Sequence, residues 1–259
     1  MLPPLPASMT AKLGRRALSP GPTVGMTGDA LYWVEGEPAS LLKVSTRWQA
    51  ELEYQAQALR WLEGRLPVAR VLAFEKGEGL AALWMTRLKG ADGVDLCRQA
   101  APEEVATSFA LALRQVHSLP IDNCPLDQRL DRKVALAEAR ARNGEVDEDD
   151  LDECRRGLPV EELLGQLHER RPKDEDLVFT HGDYCVPNVM FEQGQLSGFV
   201  DLGRCGVADR YQDLALLVRS LALKVNAGQD LSGVVAKVYA IDKWDQAKVE
   251  YYQLLDEFF

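Results

Sequence analysis

A change of texture near residue 90 limits the folds open to this chain more than any other feature of its 259 residues. Before it, short apolar segments at 23–28, 31–35, 40–44, 71–74 and 80–85 are separated by Gly and Pro, the pattern of antiparallel strands. One helical pattern interrupts them at 47–62, where Trp48, Leu52, Ala56, Leu59 and Leu62 share a face and Gly64 and Pro67 end the run. After Gly90 and Gly93 amphipathic helical patterns take over, at 102–117, 130–142, 160–170, 213–224, 231–239 and 244–255. Two short strands, 189–191 and 196–200, interrupt them. The chain therefore reads as an α+β protein in two parts. Residues 1–90 form a small antiparallel-sheet lobe with one main helix, residues 91–259 a larger and mostly helical lobe, and a Gly-containing hinge lies at about 86–93.

Composition excludes several classes. No apolar run approaches the roughly 20 residues that cross a bilayer. The N-terminus places Lys12, Arg15 and Arg16 after its apolar stretch, the reverse of a secretory signal. The five cysteines are irregularly spaced with no C-x-x-C pair, which argues for reduced thiols and a cytoplasmic location rather than a zinc site or disulfides. Acidic residues outnumber basic ones 40 to 30, for a formal charge of −10. That balance disfavours a nucleic-acid surface. It suits a cationic partner, and equally well plain solubility.

The informative segment runs from 177 to 213. An apolar strand at 177–179 delivers His181-Gly182-Asp183, and Asn188 follows five residues after Asp183. A tight hairpin then delivers Asp201-Leu202-Gly203. Phosphoryl transfer from ATP needs such groups: a carboxylate for the acceptor's hydroxyl proton, and oxygen ligands for Mg²⁺ on the phosphates. The spacing D-x-x-x-x-N followed by D-x-G matches the protein-kinase catalytic and metal loops, with H-G-D in place of H-R-D and D-L-G in place of D-F-G. His, Asp and Asn in loops often do no more than close turns. Both halves together, downstream of a strand-rich lobe, favour the chemical reading.

The stretch HGDYCVPNVMFEQGQLSGFVDLGRCGVADRYQD resembles the aminoglycoside phosphotransferases, and closely the aminoglycoside 3′-phosphotransferases. The likeness extends through WLEGRLPVARVLAFE (61–75), DEDDLDE (147–153) and the terminal LLDEFF (254–259). It implies a two-lobed protein-kinase-like fold, ATP and Mg²⁺, and transfer of the γ-phosphoryl group to a hydroxyl of kanamycin, neomycin or a similar drug, giving resistance. It places the catalytic carboxylate on Asp183, magnesium on Asn188 and Asp201, and Arg204 near substrate and phosphates. His181 is read as orienting the loop backbone rather than transferring a proton, and Cys185 and Cys205 as packing residues.

In the first lobe, Lys43 resembles the kinase lysine that pairs with the nucleotide phosphates. The position where kinases carry its Glu partner falls on Gln55, so the partner stays open between Gln55 and Glu51, one turn earlier on the same face. Gly25-Met26-Thr27-Gly28 matches the family's short phosphate loop, with Thr27 as its hydroxyl. Thr86 and Leu88 occupy the positions whose backbone bonds the adenine edge.

Six carboxylates in seven residues at 147–153 read first as a solvated loop. By resemblance this is the antibiotic-binding loop, with Asp150, Asp152 and Glu153 at the matching positions. Asp256, Glu257 and Phe259 with its carboxylate match the substrate-binding tail. The helix after Asp213 carries Arg219-Ser220-Leu221-Ala222-Leu223 where relatives tend to carry acids, implying a changed or narrower acceptor range. A monomer acting on a polycationic small molecule, with no nucleic acid or membrane partner, is expected. The rivals are a same-fold kinase for streptomycin, a macrolide or choline, and a silent nucleotide-binding module, which only Gln55 favours.

Overall fold

In the computed structural model the described residues are 4–21, 29–224 and 230–259. The expected strand at 23–28 and Thr27 itself lie outside them. The chain forms two compact units, one from Met1–Ala91 with Met190–Arg204, the other from Asp92–Val189 with Cys205–Phe259.

The first unit opens with a short helix that the strand pattern does not announce, α1 (Ala7–Leu13), and an edge strand, β1 (Leu18–Pro20). Strands β2 (Ala30–Val34) and β3 (Ser40–Ser45) follow, then the helix α2 (Gln49–Leu62) and the pair β4 (Val71–Gly77) and β5 (Leu80–Thr86). They make a five-stranded antiparallel sheet in the order β1-β2-β3-β5-β4. Strand alternation explains its two faces. Leu42 and Val44 of β3 join Met9 and Leu13 of α1, Val34, Leu80, Ala82 and Trp84 in one core, where Trp84 Nε1 donates to Ser40 Oγ at 3.0 Å. Lys43, between Leu42 and Val44 in sequence, points to the other face, toward α2. Polar contacts dock α1 on β4: Ser8 Oγ donates to Glu75 at 2.7 Å, and Lys12 pairs with the same carboxylate.

A two-residue strand, β6 (Ala91–Asp92), falls at the boundary between the units. In the second unit Asp92 caps α3 (Gly93–Gln99) by accepting the Val94 N–H at 3.0 Å. Gly93 is there for packing: a Cβ would stand 2.3 Å from the Phe109 ring and 2.5 Å from the Val186 carbonyl. Helices α4 (Pro102–His117), α5 (Leu130–Arg142) and α6 (Val160–Glu169) and strand β7 (Leu177–Thr180) follow. A 3₁₀ turn at Val186–Asn188 leads to the hairpin β8 (Val189–Glu192) and β9 (Gln195–Phe199).

Sequence pattern groups 190–204 with the second part of the chain, whereas the structure packs it with the first unit. The reason is local. Phe199 N–H donates to Pro67 O at 3.0 Å, and Gly198 lies so close that a Cβ would meet Pro67 O at 2.3 Å. The chain then forms β10 (Gly206–Asp209), antiparallel to β7, and the helices α7 (Tyr211–Lys224), α8 (Ser232–Tyr239) and α9 (Gln246–Asp256). Phe109, Leu113, Phe179, Leu217, Tyr252 and Leu255 are all buried in this unit.

Candidate active site

Lys43 is the centre of the first unit's polar cluster. Its ammonium stands 3.3 Å from Gln55 Oε1 on α2, 3.2 Å from Asp201 Oδ1 and 3.3 Å from Asp29 Oδ2. Burial alone would depress the lysine, but the charges of Asp201 and then Asp29 outweigh it and hold its pKa above the usual value. Of the two partners left open by the sequence, Gln55 is buried and bonded to the lysine, whereas Glu51 is itself exposed. Asp29 was not foreseen at all. Asp201 has φ +57, a left-handed conformation uncommon outside glycine that Asp tolerates better than most. Its side chain keeps 40% of its surface exposed, leaving carboxylate surface for a ligand. Arg204, three residues on, is half-buried in the same unit.

At the two positions expected to meet the adenine, the structure shows which backbone groups are committed. Thr86 N–H donates to Arg70 O at 2.9 Å, its hydroxyl accepts the Arg70 N–H at 2.8 Å, and Arg87 N–H donates to Ala39 O at 2.8 Å. Leu88 is half-buried beside Gly198.

In the second unit the loop 181–188 is tied from beneath. Asp213, fully buried near the start of α7, accepts the His181 N–H at 2.6 Å on Oδ2 and the Gly182 N–H at 2.8 Å on Oδ1. The His181 ring, also fully buried, takes the Asp183 N–H on Nδ1 at 3.3 Å. The ring is thus bonded to the loop backbone. Asn188 then fixes the carboxylate: its Nδ2 donates to Asp183 Oδ2 at 2.8 Å and to Asp183 O at 3.0 Å. Both amide hydrogens are used, so Asn188 Oδ1 is the atom left to meet a cation. Tyr184 O–H donates to Phe109 O at 2.8 Å and Ser220 Oγ accepts the Val186 N–H at 2.9 Å, completing the anchorage.

The acidic segment and the tail meet through two arginines. Asp152 Oδ2 accepts from Arg155 and from Arg219, each at 3.1 Å. Arg219 also pairs with Asp256, and Arg155 with Glu257 Oε1 at 2.9 Å. Glu257 Oε2 accepts the Asp152 N–H at 3.1 Å. Burial first, then the charge of Asp152, pushes Glu257 up to about 7. Arg219 is held charged against burial by Asp256 and Asp152. Three of the expected acceptor carboxylates are therefore already paired within the chain, while Asp150 and Glu153 are exposed. The Phe259 ring lies under Lys133, whose Nζ is 4.4 Å from its centroid, with Arg140 at 5.5 Å.

Among the described residues no group of three or more His, Cys, Asp or Glu is placed to hold a metal ion. Magnesium does not need one, since it commonly takes one or two protein oxygens plus phosphates and waters. Asn188 Oδ1 in the second unit and the Asp201 carboxylate in the first are each an oxygen donor of the kind that magnesium takes.

A sheet bearing a charge-pinned lysine, followed by a helical unit with an anchored H-G-D loop and its Asn, defines a kinase-like phosphotransferase. The model of the phosphotransferase enzyme family matches residues 29–249, and the chain belongs to this family. It is 40% identical to the aminoglycoside 3′-phosphotransferase of Niallia circulans over 98% of this chain and 97% of the relative. To that of Streptomyces fradiae it is 37% identical, over 91% and 92%. The crystal structure of a type VIII aminoglycoside-3′-phosphotransferase superposes with a TM-score of 0.84 at 32% identity, covering 97% of both chains. A phosphotransferase from Streptomyces rimosus in complex with ADP and streptomycin gives 0.81 at 27% identity, covering 96% of this chain and 95% of that one.

Proposed function

We propose that this chain is an aminoglycoside 3′-phosphotransferase that uses ATP and Mg²⁺ to modify drugs such as kanamycin or neomycin, and so confers resistance. The observation that carries this reading is the pairing of Asn188 Nδ2 with Asp183 Oδ2 at 2.8 Å. A carboxylate aimed by an amide donor, on a loop whose backbone is bonded to buried Asp213, is what a phosphoryl acceptor's hydroxyl requires. Full-length similarity to enzymes of that name supports the substrate class.

Asp183 orients the acceptor hydroxyl and takes its proton late, because the transition state for phosphoryl transfer is loose. Lys43 is kept cationic for the phosphates, with Gln55 and Asp29 holding it in place. When bound, Mg²⁺ neutralises phosphate charge, and Asn188 Oδ1 and Asp201 are the groups that would hold it. With its N–H committed to Arg70, Thr86 has only its carbonyl for the adenine amino group, while Leu88 contributes its backbone. Thr27 and Arg204 are assigned to the phosphates, Arg204 also bordering the acceptor.

Asp150, Asp152, Glu153, Asp256 and Glu257 are assigned to the acceptor's ammonium groups, with Phe259 completing the tail. Five carboxylates against the guanidinium groups of Arg155 and Arg219 leave the region negative, so it still attracts a polycation. Asp152 offers its second oxygen rather than a whole carboxylate, and both oxygens of Glu257 are already engaged within the chain, which narrows the geometry of ammonium groups the region accepts.

The test is turnover with ATP and a panel of kanamycin, streptomycin, erythromycin and choline, with NMR of the product. Phosphate on the 3′-hydroxyl of kanamycin is the expected result. Turnover of another panel member alone, or modification at another hydroxyl, overturns the assignment.

A further inference from the structure

Beneath the catalytic loop lies a chain of buried polar groups that phosphoryl transfer itself does not call for. His117, the last residue of α4, is 3% exposed at its side chain. Its Nε2 stands 2.9 Å from Asp213 Oδ2, the oxygen that also accepts the His181 N–H. Its Nδ1 stands 2.6 Å from the hydroxyl of Tyr239, the last residue of α8. The rings cross nearly perpendicular, at 79°, with centroids 5.5 Å apart.

One hydrogen assignment satisfies every atom of the chain. Tyr239 O–H donates to His117 Nδ1, which puts the imidazole proton on Nε2, where it donates to Asp213. Asp213 can only accept, and takes three hydrogens in all. Burial pushes the Tyr239 hydroxyl up to about 12, so it remains a donor throughout the working pH range. The opposite tautomer would aim a bare nitrogen lone pair at a buried carboxylate and repel it.

We infer that His117, with its tautomer set by Tyr239, is a positioning residue for phosphoryl transfer: it orients Asp213 and through it the backbone of His181 and Gly182, and so the placement of Asp183. The role depends on a donor at the Nε2 position rather than on an aromatic ring. It rests on the phosphotransferase reading above.

The experiment measures kcat, both KM values and Tm for His117→Leu, His117→Gln and Tyr239→Phe, with wild type alongside. His117→Leu should lower kcat about 10–100-fold, the rate equivalent of one lost buried hydrogen bond, with KM for ATP and for kanamycin within about twofold. His117→Gln places an amide donor near the old Nε2 and should recover kcat to within about threefold of wild type. Tyr239→Phe keeps the packing and should cost about three- to tenfold in kcat with little change in Tm. Should His117→Leu fail to fold, the other two variants still decide. Wild-type kcat in Tyr239→Phe, or a Gln variant no better than Leu, overturns the role. A wild-type protein that transfers no phosphate to kanamycin overturns the phosphotransferase reading and this one with it, whereas an active wild type with unaffected variants overturns only this one.

Discussion

The Lys43 ammonium stands 3.3 Å from the Gln55 side-chain oxygen, at a position where protein kinases carry a glutamate. The missing charge is supplied by Asp29 and Asp201, each within 3.3 Å of the same nitrogen. Gln55 therefore orients a lysine that other groups keep charged. Gln55→Leu should raise KM for ATP about three- to tenfold, the effect of one hydrogen bond to a charged donor, while kcat changes less. Gln55→Glu should leave kcat/KM for ATP within about threefold of wild type. Steady-state kinetics with varied ATP checks both.

Asp201 is the larger dependency. Asp201→Asn removes the charge that contributes most to holding Lys43 above its ordinary pKa, together with an oxygen assigned to the metal. The expected result is loss of activity by about a thousandfold or more at ordinary Mg²⁺, partly recovered at high Mg²⁺, because both losses fall on transition-state charge. Wild-type activity should vanish with EDTA and return on adding Mg²⁺. Titration of rate against Mg²⁺ for both proteins measures this.

Arg155 joins the acidic segment to the C-terminal helix through Asp152 and Glu257. The Arg155 and Glu257 side chains are 12% and 3% exposed, so removing one partner strands the other. Arg155→Met should destabilise by about 3 kcal/mol. Adding Glu257→Gln should recover part of that loss, giving a non-additive double-mutant cycle. Urea denaturation of the four proteins reads the coupling.

Glu257 also sets a pH dependence. Its pKa rises from 4.5 to about 7 on folding, so between those values the folded chain binds a proton that the unfolded chain has released. Stability then falls as pH rises through that window. Tm of the wild type relative to Glu257→Gln should decline from pH 5 to pH 8 by this group's contribution, as scanning calorimetry at matched ionic strength would show.

Much of the architecture was legible because it follows short-range rules. Helices at 102–117 and 130–142 appear at those residues, since their apolar spacing and punctuation are local. Lys43 faces α2 as strand alternation places it, whereas helix periodicity left its partner open between Gln55 and Glu51. Asp183 and Asn188 meet because they stand five positions apart on one loop. What escaped depends on distant partners. Strand β10 is four residues long and depends on distant partners, pairing with β7 and bridging through Val207 to Asp127. Helix α1 is held by Met9 and Glu75 contacts with a sheet far along the chain. Asp29 sits in no motif. Asp213 closes the motif segment without a spacing that marks its role. Arg219 reads in sequence only as the lack of an acid, whereas in the fold it is the counter-ion of Asp152 and Asp256.

The central claim is that Asp183 handles the acceptor's proton while other groups hold the nucleotide. Asp183→Asn measures it most directly, by kanamycin turnover alongside calorimetric titration with a non-hydrolysable ATP analogue and Mg²⁺. Turnover should drop by about a thousandfold or more, with nucleotide affinity within about threefold of wild type. Kanamycin phosphorylated at near wild-type rate by that variant would contradict the account.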